Sequence, residues 1–180
     1  MYHIKKDKRA ERSAKNICTA LIELMKKKPY YEISVTDIQQ AAGVGRSTFY
    51  RNFDTPDDIL LLMCNNAFDD IFSNSNGLLT AVNCFNYWFD NSEILEALMK
   101  ANRVNYFADS FKKHLMESNF DTKHKHTDAD YQYQAAMISY AMVGALTAWI
   151  ERGRVETKAE MFKYVVNSIR GIKPILSLKN

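Results

Sequence analysis

The sequence predicts an all-α chain of about nine helices, with a small three-helix head followed by a larger helical body. Three observations carry this. The 180 residues hold only six glycines and three prolines, so helix breakers are few. Apolar residues recur at i, i+3, i+4 and i+7 along most of the chain. Several of these segments open on a residue able to cap a helix.

Taken in order, residues 1–8 read as a basic arm without apolar periodicity. The arm is either a solvated, mobile terminus or a strip that lays Lys5, Lys6 and Lys8 along a phosphate backbone. A long amphipathic helix is expected from Arg9 to Lys28, with Ile17, Ala20, Leu21, Leu24 and Met25 on its apolar stripe. The Lys26–Lys28 run favours its C-terminal end, and Pro29 stops it. Tyr30, Tyr31 and Ile33 are expected to pack the following linker against the head.

The stretch ISVTDIQQAAGVGRSTFYRNF, residues 33–53, then reads as two short helices joined by a tight turn. Ser34 and Asp37 form a capping box, and Gly43 ends the first helix in a left-handed conformation. On the second helix Phe49 and Phe53 face inward, whereas Arg46, Ser47, Thr48, Tyr50, Arg51 and Asn52 form an outer face suited to a polyanion. Thr55-Pro56-Asp57-Asp58 opens a further helix to about Phe72, long enough to join the head to a second domain. Residues 1–53 are therefore expected to form the head and 54–180 the body, with helix 54–72 connecting them.

The body is expected to continue with helices from Leu78 to Phe89, from Ser92, a cap, to Ala101, and from Val104 to Glu117. After a polar loop at 118–128, a long helix runs from Ala129 to Arg152 with a small-residue strip of Ala136, Ser139, Ala141, Gly144 and Ala145. Thr157 and Glu160 form a capping box for the last helix, which Gly171 and Pro174 end.

Charge is unevenly spread. Residues 1–52 carry 11 Lys and Arg against 5 Asp and Glu, and the remainder 13 against 16. A basic head on a mildly acidic body suggests a nucleic-acid partner. Cys18, Cys64 and Cys84 lie in apolar segments and read as reduced, buried thiols of a cytoplasmic protein. The sequence lacks a signal peptide and a run long enough to span a bilayer, so no membrane association is expected.

The order long helix, SVTDIQQAAGVGRSTFYRNF, capped long helix resembles the N-terminal domain of TetR-type (TetR/AcrR) transcriptional regulators over about residues 9–65. Its matching positions are Val35, Asp37, Ile38, Ala42-Gly43-Val44, Thr48, Phe49-Tyr50 and Phe53. Trp149-Ile150-Glu151-Arg152-Gly153, with Glu156-Thr157 and Met161, resembles the subgroup that includes the activator of dihydroxyacetone-kinase operons. The resemblance implies a TetR-like homodimer on double-stranded DNA, with an operator that is nearly palindromic, and a body that binds a small-molecule effector. It implies a repressor more often than an activator.

Carried onto this sequence, the resemblance places Thr36, Gly45, Arg46, Ser47, Thr48, Tyr50, Arg51 and Asn52 at the DNA. Arg46 is the first choice for reading a guanine, and Tyr50 and Asn52 for holding phosphate. Two positions depart from the family pattern: Pro56 replaces a phosphate-binding lysine among Asp54, Asp57 and Asp58, and Gly45 replaces a serine cap. Both departures weaken the expected grip and leave open a co-regulator that acts through a partner.

In the body, Cys84, Phe85, Tyr87, Trp88, Phe89, Phe107, Phe111, Met137 and Tyr140 are candidates to line a mostly apolar effector pocket, although each alone fits plain core packing. Ala141, Ala145, Trp149, Phe162, Val166 and Ile169 are candidates for the dimer interface. His114, His124 and His126 with Asp121 and Asp128 supply potential metal ligands, but Lys123 and Lys125 oppose a cation there. No metal or cofactor is expected, and the absence of phosphate loops, dinucleotide fingerprints and nucleophile–histidine–acid patterns argues against an enzyme.

Overall fold

A computed structural model of the chain describes all residues except 6, 75–80, 119–127 and 177–180, and the side chains at 74, 81, 82, 118, 128, 169 and 172–176 are also outside it. Among the described residues there are nine α-helices: α1 (Lys8–Met25), α2 (Val35–Ala42), α3 (Arg46–Asn52), α4 (Pro56–Asn74), α5 (Ala81–Asp90), α6 (Ser92–Lys100), α7 (Asn105–Ser118), α8 (Asp128–Glu151) and α9 (Lys158–Leu176). A 3₁₀ turn at Tyr30–Glu32 links α1 to α2.

Local chemistry explains the helix ends. Asp7 caps α1 by accepting from the backbone N–H groups of Arg9 and Ala10 at 3.0 and 2.8 Å. The helix stops at Met25, three residues before the expected Lys28, so the lysines fall in the turn beyond it. Lys28 uses that position to reach Asp37 at 2.8 Å, tying the end of α1 to the start of α2. The expected cap at Ser92 is instead the first residue of α6, preceded by Asn91, which makes no side-chain capping bond. Neither Gly171 nor Pro174 ends α9, which continues to Leu176. Tyr31 is 84% exposed, while Ile33 alone of the expected linker anchors is buried.

The head closes on Ile17, Leu21, Ile38, Phe49 and Phe53, contributed by α1, α2, α3 and the residue after α3. Its α1 also packs against α4 and α6. From there α4 runs along α7, and the seam is aromatic. Phe68 stacks on Phe111 at 5.0 Å and meets Phe107 and Trp88 edge-on or tilted at 5.0 and 5.2 Å. Phe68, Trp88 and Phe107 are completely buried. The α7–α8 pair completes this core, and α9 packs mainly on α5.

Cys64 and Cys84 are buried in this interior, whereas Cys18 on α1, expected to be buried as well, is half-buried at its edge. Burial pushes the thiols of Cys18, Cys64 and Cys84 up to about 12. At pH 8 the thiolate fraction of each is therefore smaller than that of a free cysteine by more than about a thousandfold. Iodoacetamide at pH 8 is expected to modify none of them on a timescale that fully labels all three in denaturant, as mass spectrometry would record. Rapid native labelling of Cys64 or Cys84 would show that its helix opens locally.

Candidate nucleic-acid interface

Helix α3 is set by its two ends. Gly43 adopts φ 64°, ψ 36°, which turns the chain sharply after α2, and the Ser34–Asp37 capping box fixes where α2 starts. Asp37 accepts from the Ser34 backbone N–H at 2.8 Å, and Ser34 Oγ accepts from the Asp37 N–H at 3.1 Å. The Lys28 ammonium, followed by the Ser34 hydroxyl and N–H, holds the Asp37 carboxyl well below the usual carboxylate range. Gly45 precedes α3 in extended conformation and makes no side-chain cap.

Phe49 is fully buried and meets the rings of Tyr50 and Phe53 at 5.3 and 6.0 Å. With that face fixed inward, Arg46, Ser47, Tyr50 and Arg51 are exposed and Thr48 is half-buried. The Arg46 guanidinium lies 5.5 Å from the Tyr50 ring centroid, one helical turn on, which limits the arginine to fewer rotamers. Thr36 and Gly45 are exposed beside this face.

Asn52 departs from the expected outer face. It is 1% exposed, and its amide donates to the Thr48 carbonyl at 2.7 Å. Position 52 falls one turn after Thr48 and directly before buried Phe53, so helical rotation carries it inward. The arm also departs from the expected mobile terminus. Tyr2 forms an antiparallel bridge with Phe53, and the His3 N–H donates to the Asn52 carbonyl at 2.8 Å. Sequence periodicity gives no signal for such a two-residue pairing; Lys6 lies outside the described residues.

The acids at the start of α4 are occupied within the molecule. Asp54 sits 3.2 Å from the His3 ring. Asp57 pairs with Arg103 Nε at 2.7 Å and accepts from the Tyr30 hydroxyl. Asp58 accepts from the backbone N–H groups of Asp54 and Thr55 at 3.1 and 2.9 Å. They cap and tie α4 instead of lining an open acidic surface.

The body candidates separate into two groups. Phe85, Trp88, Phe107 and Phe111 are buried and Phe89 is half-buried, whereas Met137 and Tyr140 are 65% and 56% exposed on α8. Met137 and Tyr140 therefore do not share a pocket with the aromatic residues. Helix α8 is apolar around its circumference, so spacing alone could not orient them. Trp88 Nε1 is buried within the cluster and has no hydrogen-bond partner among the described residues.

Between α8 and α9 lies an apolar groove of about 590 Å³, lined by Ala141, Ala145, Ala148, Trp149, Met161 and Val165 among others. Of the interface candidates, Trp149 is also tied inward, stacking on Phe89 at 4.2 Å and donating to the Glu156 carbonyl. Ala141 is exposed, Ala145, Phe162 and Val166 are half-buried, and the Ile169 side chain lies outside the described residues.

His114 is buried, with Nδ1 2.7 Å from the Ser110 carbonyl and Nε2 2.8 Å from Asp69, so both ring nitrogens are engaged. Asp121, His124 and His126 lie outside the described residues, as does the side chain of Asp128.

Comparison with known proteins places both halves. Residues 17–63 match the family described as bacterial regulatory proteins, tetR family, and residues 78–171 match a transcriptional regulator C-terminal region. Over 62 residues the chain is 34% identical to the HTH-type dhaKLM operon transcriptional activator DhaS of Lactococcus lactis, covering 34% of this chain and 33% of that protein. The chain thus matches about a third of that relative's length.

Among solved structures, a dihydroxyacetone kinase operon activator DhaS superposes with a TM-score of 0.61 at 21% identity, covering 91% of this chain and 97% of the other. A TetR transcriptional regulator from Streptococcus agalactiae gives 0.56 at 18%, with the same coverage. At these identities the structural likeness speaks to the fold.

The capping box has a pH signature. The folded-state pKa of Asp37 is depressed, so its stabilisation is complete above the unfolded carboxyl value and is lost as pH falls through the folded one. Asp37→Asn is expected to lower Tm at pH 7, and its difference from the wild type to narrow as pH drops below about 4. Circular dichroism melts across pH would show this; a gap of constant size would assign the loss to shape and not charge.

Proposed function

The chain belongs to the tetR family of bacterial regulatory proteins, and we propose that it is a ligand-responsive regulator that binds a near-palindromic operator as a homodimer. The observation that carries the reading is the outer face of α3: Arg46, Ser47, Tyr50 and Arg51 exposed together on a helix whose opposite face is locked by Phe49. Arg46, steadied on Tyr50, reaches a guanine edge, while Ser47, Tyr50, Arg51 and Thr36 hold phosphates. Gly45 brings the backbone of the turn close to the duplex, and Thr48 stands at the border of the contact. Asn52 acts from beneath, fixing the end of α3.

Two features support the dimer. The α8–α9 groove is apolar and unfilled by the described residues, and α8 exposes Tyr133, Met137, Ile138 and Tyr140. A second copy that lays its own α8 and α9 against Ala141, Ala145 and Val166 buries these residues and sets two recognition helices on successive major grooves. The effector is mostly apolar with a hydrogen-bond acceptor, because the aromatic cluster around Trp88 leaves the indole N–H unpartnered. The division at residue 53 then separates DNA reading from effector sensing, in a cytoplasmic protein.

The direction of control follows from operator position. A dimer that covers a promoter represses. The printed role of the matched relative, an operon activator, favours a second reading in which this chain activates, alone or through a partner.

A mobility shift on DNA flanking its gene tests the reading directly: a discrete complex is expected at low salt, and none with either apo or effector-loaded protein would remove operator recognition. Arg46→Ala should cost ~1–3 kcal/mol and relax preference at about one base pair per half-site. Ala141→Glu should give a monomer by sedimentation, with loss of the shifted complex and helicity retained.

A further inference from the structure

The first residues of the chain are fixed at both ends. Tyr2 pairs antiparallel with Phe53, the residue that closes the recognition helix, and His3 bonds the Asn52 carbonyl. The Tyr2 hydroxyl accepts from Asn65 Nδ2 on α4 at 2.9 Å, and Tyr2 and Ile4 pack against the hydrophobic core. At the other end the Asp7 N–H donates to the Lys5 carbonyl at 2.8 Å, and Asp7 caps α1. Lys5 is thereby held between the end of α3 and the first turn of α1.

We propose that this arm is part of the DNA-contact surface, with Lys5 on the phosphate backbone beside the bases that α3 reads. The proposal rests on the operator-binding reading above and adds an element to it. Lys5, Lys8, Arg9 and Arg12 are exposed, and none forms an ion pair among the described residues. Arg46 and Arg51 on α3 are exposed as well, and the arm runs from the end of α3 to the start of α1, where Lys8, Arg9 and Arg12 lie. The N-terminus of α1 is already met by the Asp7 carboxylate, so the positive charge here comes from side chains alone. Of the acids nearby, Asp7 is taken up as the cap of α1, and Asp54 pairs with the N-terminal ammonium at 2.9 Å, which offsets its charge. Pinning through backbone pairing at Tyr2 and His3 also means that less backbone freedom is lost there on binding.

Salt dependence reads phosphate contacts without knowledge of the operator. Fluorescence anisotropy with a labelled random-sequence duplex of about 30 base pairs, long enough for two heads, gives the slope of log association constant against log salt. Lys5→Gln should make that slope shallower by about 0.9 for each bound head. Tyr2→Ala keeps every charge but loses the hydroxyl and ring that register the arm, and should show the same shallower slope. If its helicity falls, Tyr2→Phe, which removes only the bond to Asn65, replaces it.

Wild-type slopes in both variants would overturn the arm contact while leaving operator binding intact. A change in Lys5→Gln alone would overturn the pinned geometry, the lysine then acting from a loose chain. A wild-type protein that binds no duplex at low salt would remove the operator reading and the arm with it.

Discussion

A single carboxylate in the first turn of α4 joins parts of the molecule that are far apart in sequence. Asp57 accepts from the Tyr30 hydroxyl in the 3₁₀ turn of the head and pairs with Arg103 at the corner between α6 and α7. Its position at a helix N-terminus suits a negative charge as well. The Asp57–Arg103 pair is partly exposed and adds little stability by itself, since most stability comes from the aromatic seam and the head core. What it supplies is direction. Because α4 contacts α1 at one end and α7 along its length, fixing where α4 begins fixes how the head is presented to a partner.

The rest of α4 carries a polar seam inside an apolar one. Ser110 Oγ donates to Asn65 Oδ1 at 2.7 Å, Asn65 in turn donates to Tyr2, and His114 bridges the Ser110 carbonyl to Asp69. Stacked rings such as Phe68 and Phe111 tolerate sliding, whereas hydrogen bonds of fixed geometry do not. The network therefore sets the register of α4 against α7. Under the proposed function, an effector that shifts α7 meets a connection running from the body through Asn65 to the arm and the end of the recognition helix.

Features written into neighbouring residues were legible from the sequence. The Ser34–Asp37 box and the left-handed Gly43 depend on a few consecutive residues, and both occur where the pattern put them. The burial of Phe49 follows from helical spacing on α3, whereas Phe53, expected on the same helix, is buried from the extended residue that follows it. Contacts between distant segments left no such trace: nothing near Asp57 names Arg103, and nothing near Phe53 names Tyr2. Asn52 was misplaced because residue type suggested an outer face, while rotation about α3 turns it inward. Met137 and Tyr140 were misplaced because α8 has apolar residues on every side, so periodicity carries no orientation.

The missing cap at Gly45 has an evolutionary consequence. Its backbone is extended at φ −77°, and a Cβ built there meets no atom within 4 Å, so the fold does not require glycine. Serine there would stabilise the start of α3 by a few tenths of a kcal/mol, in the range known for such caps, and under the proposed function would add a hydroxyl beside the duplex. Glycine and serine codons differ by a single base. Under the proposed function, position 45 is thus a mutationally accessible point at which lineages carrying this chain can adjust operator occupancy by a small step without having to compensate elsewhere.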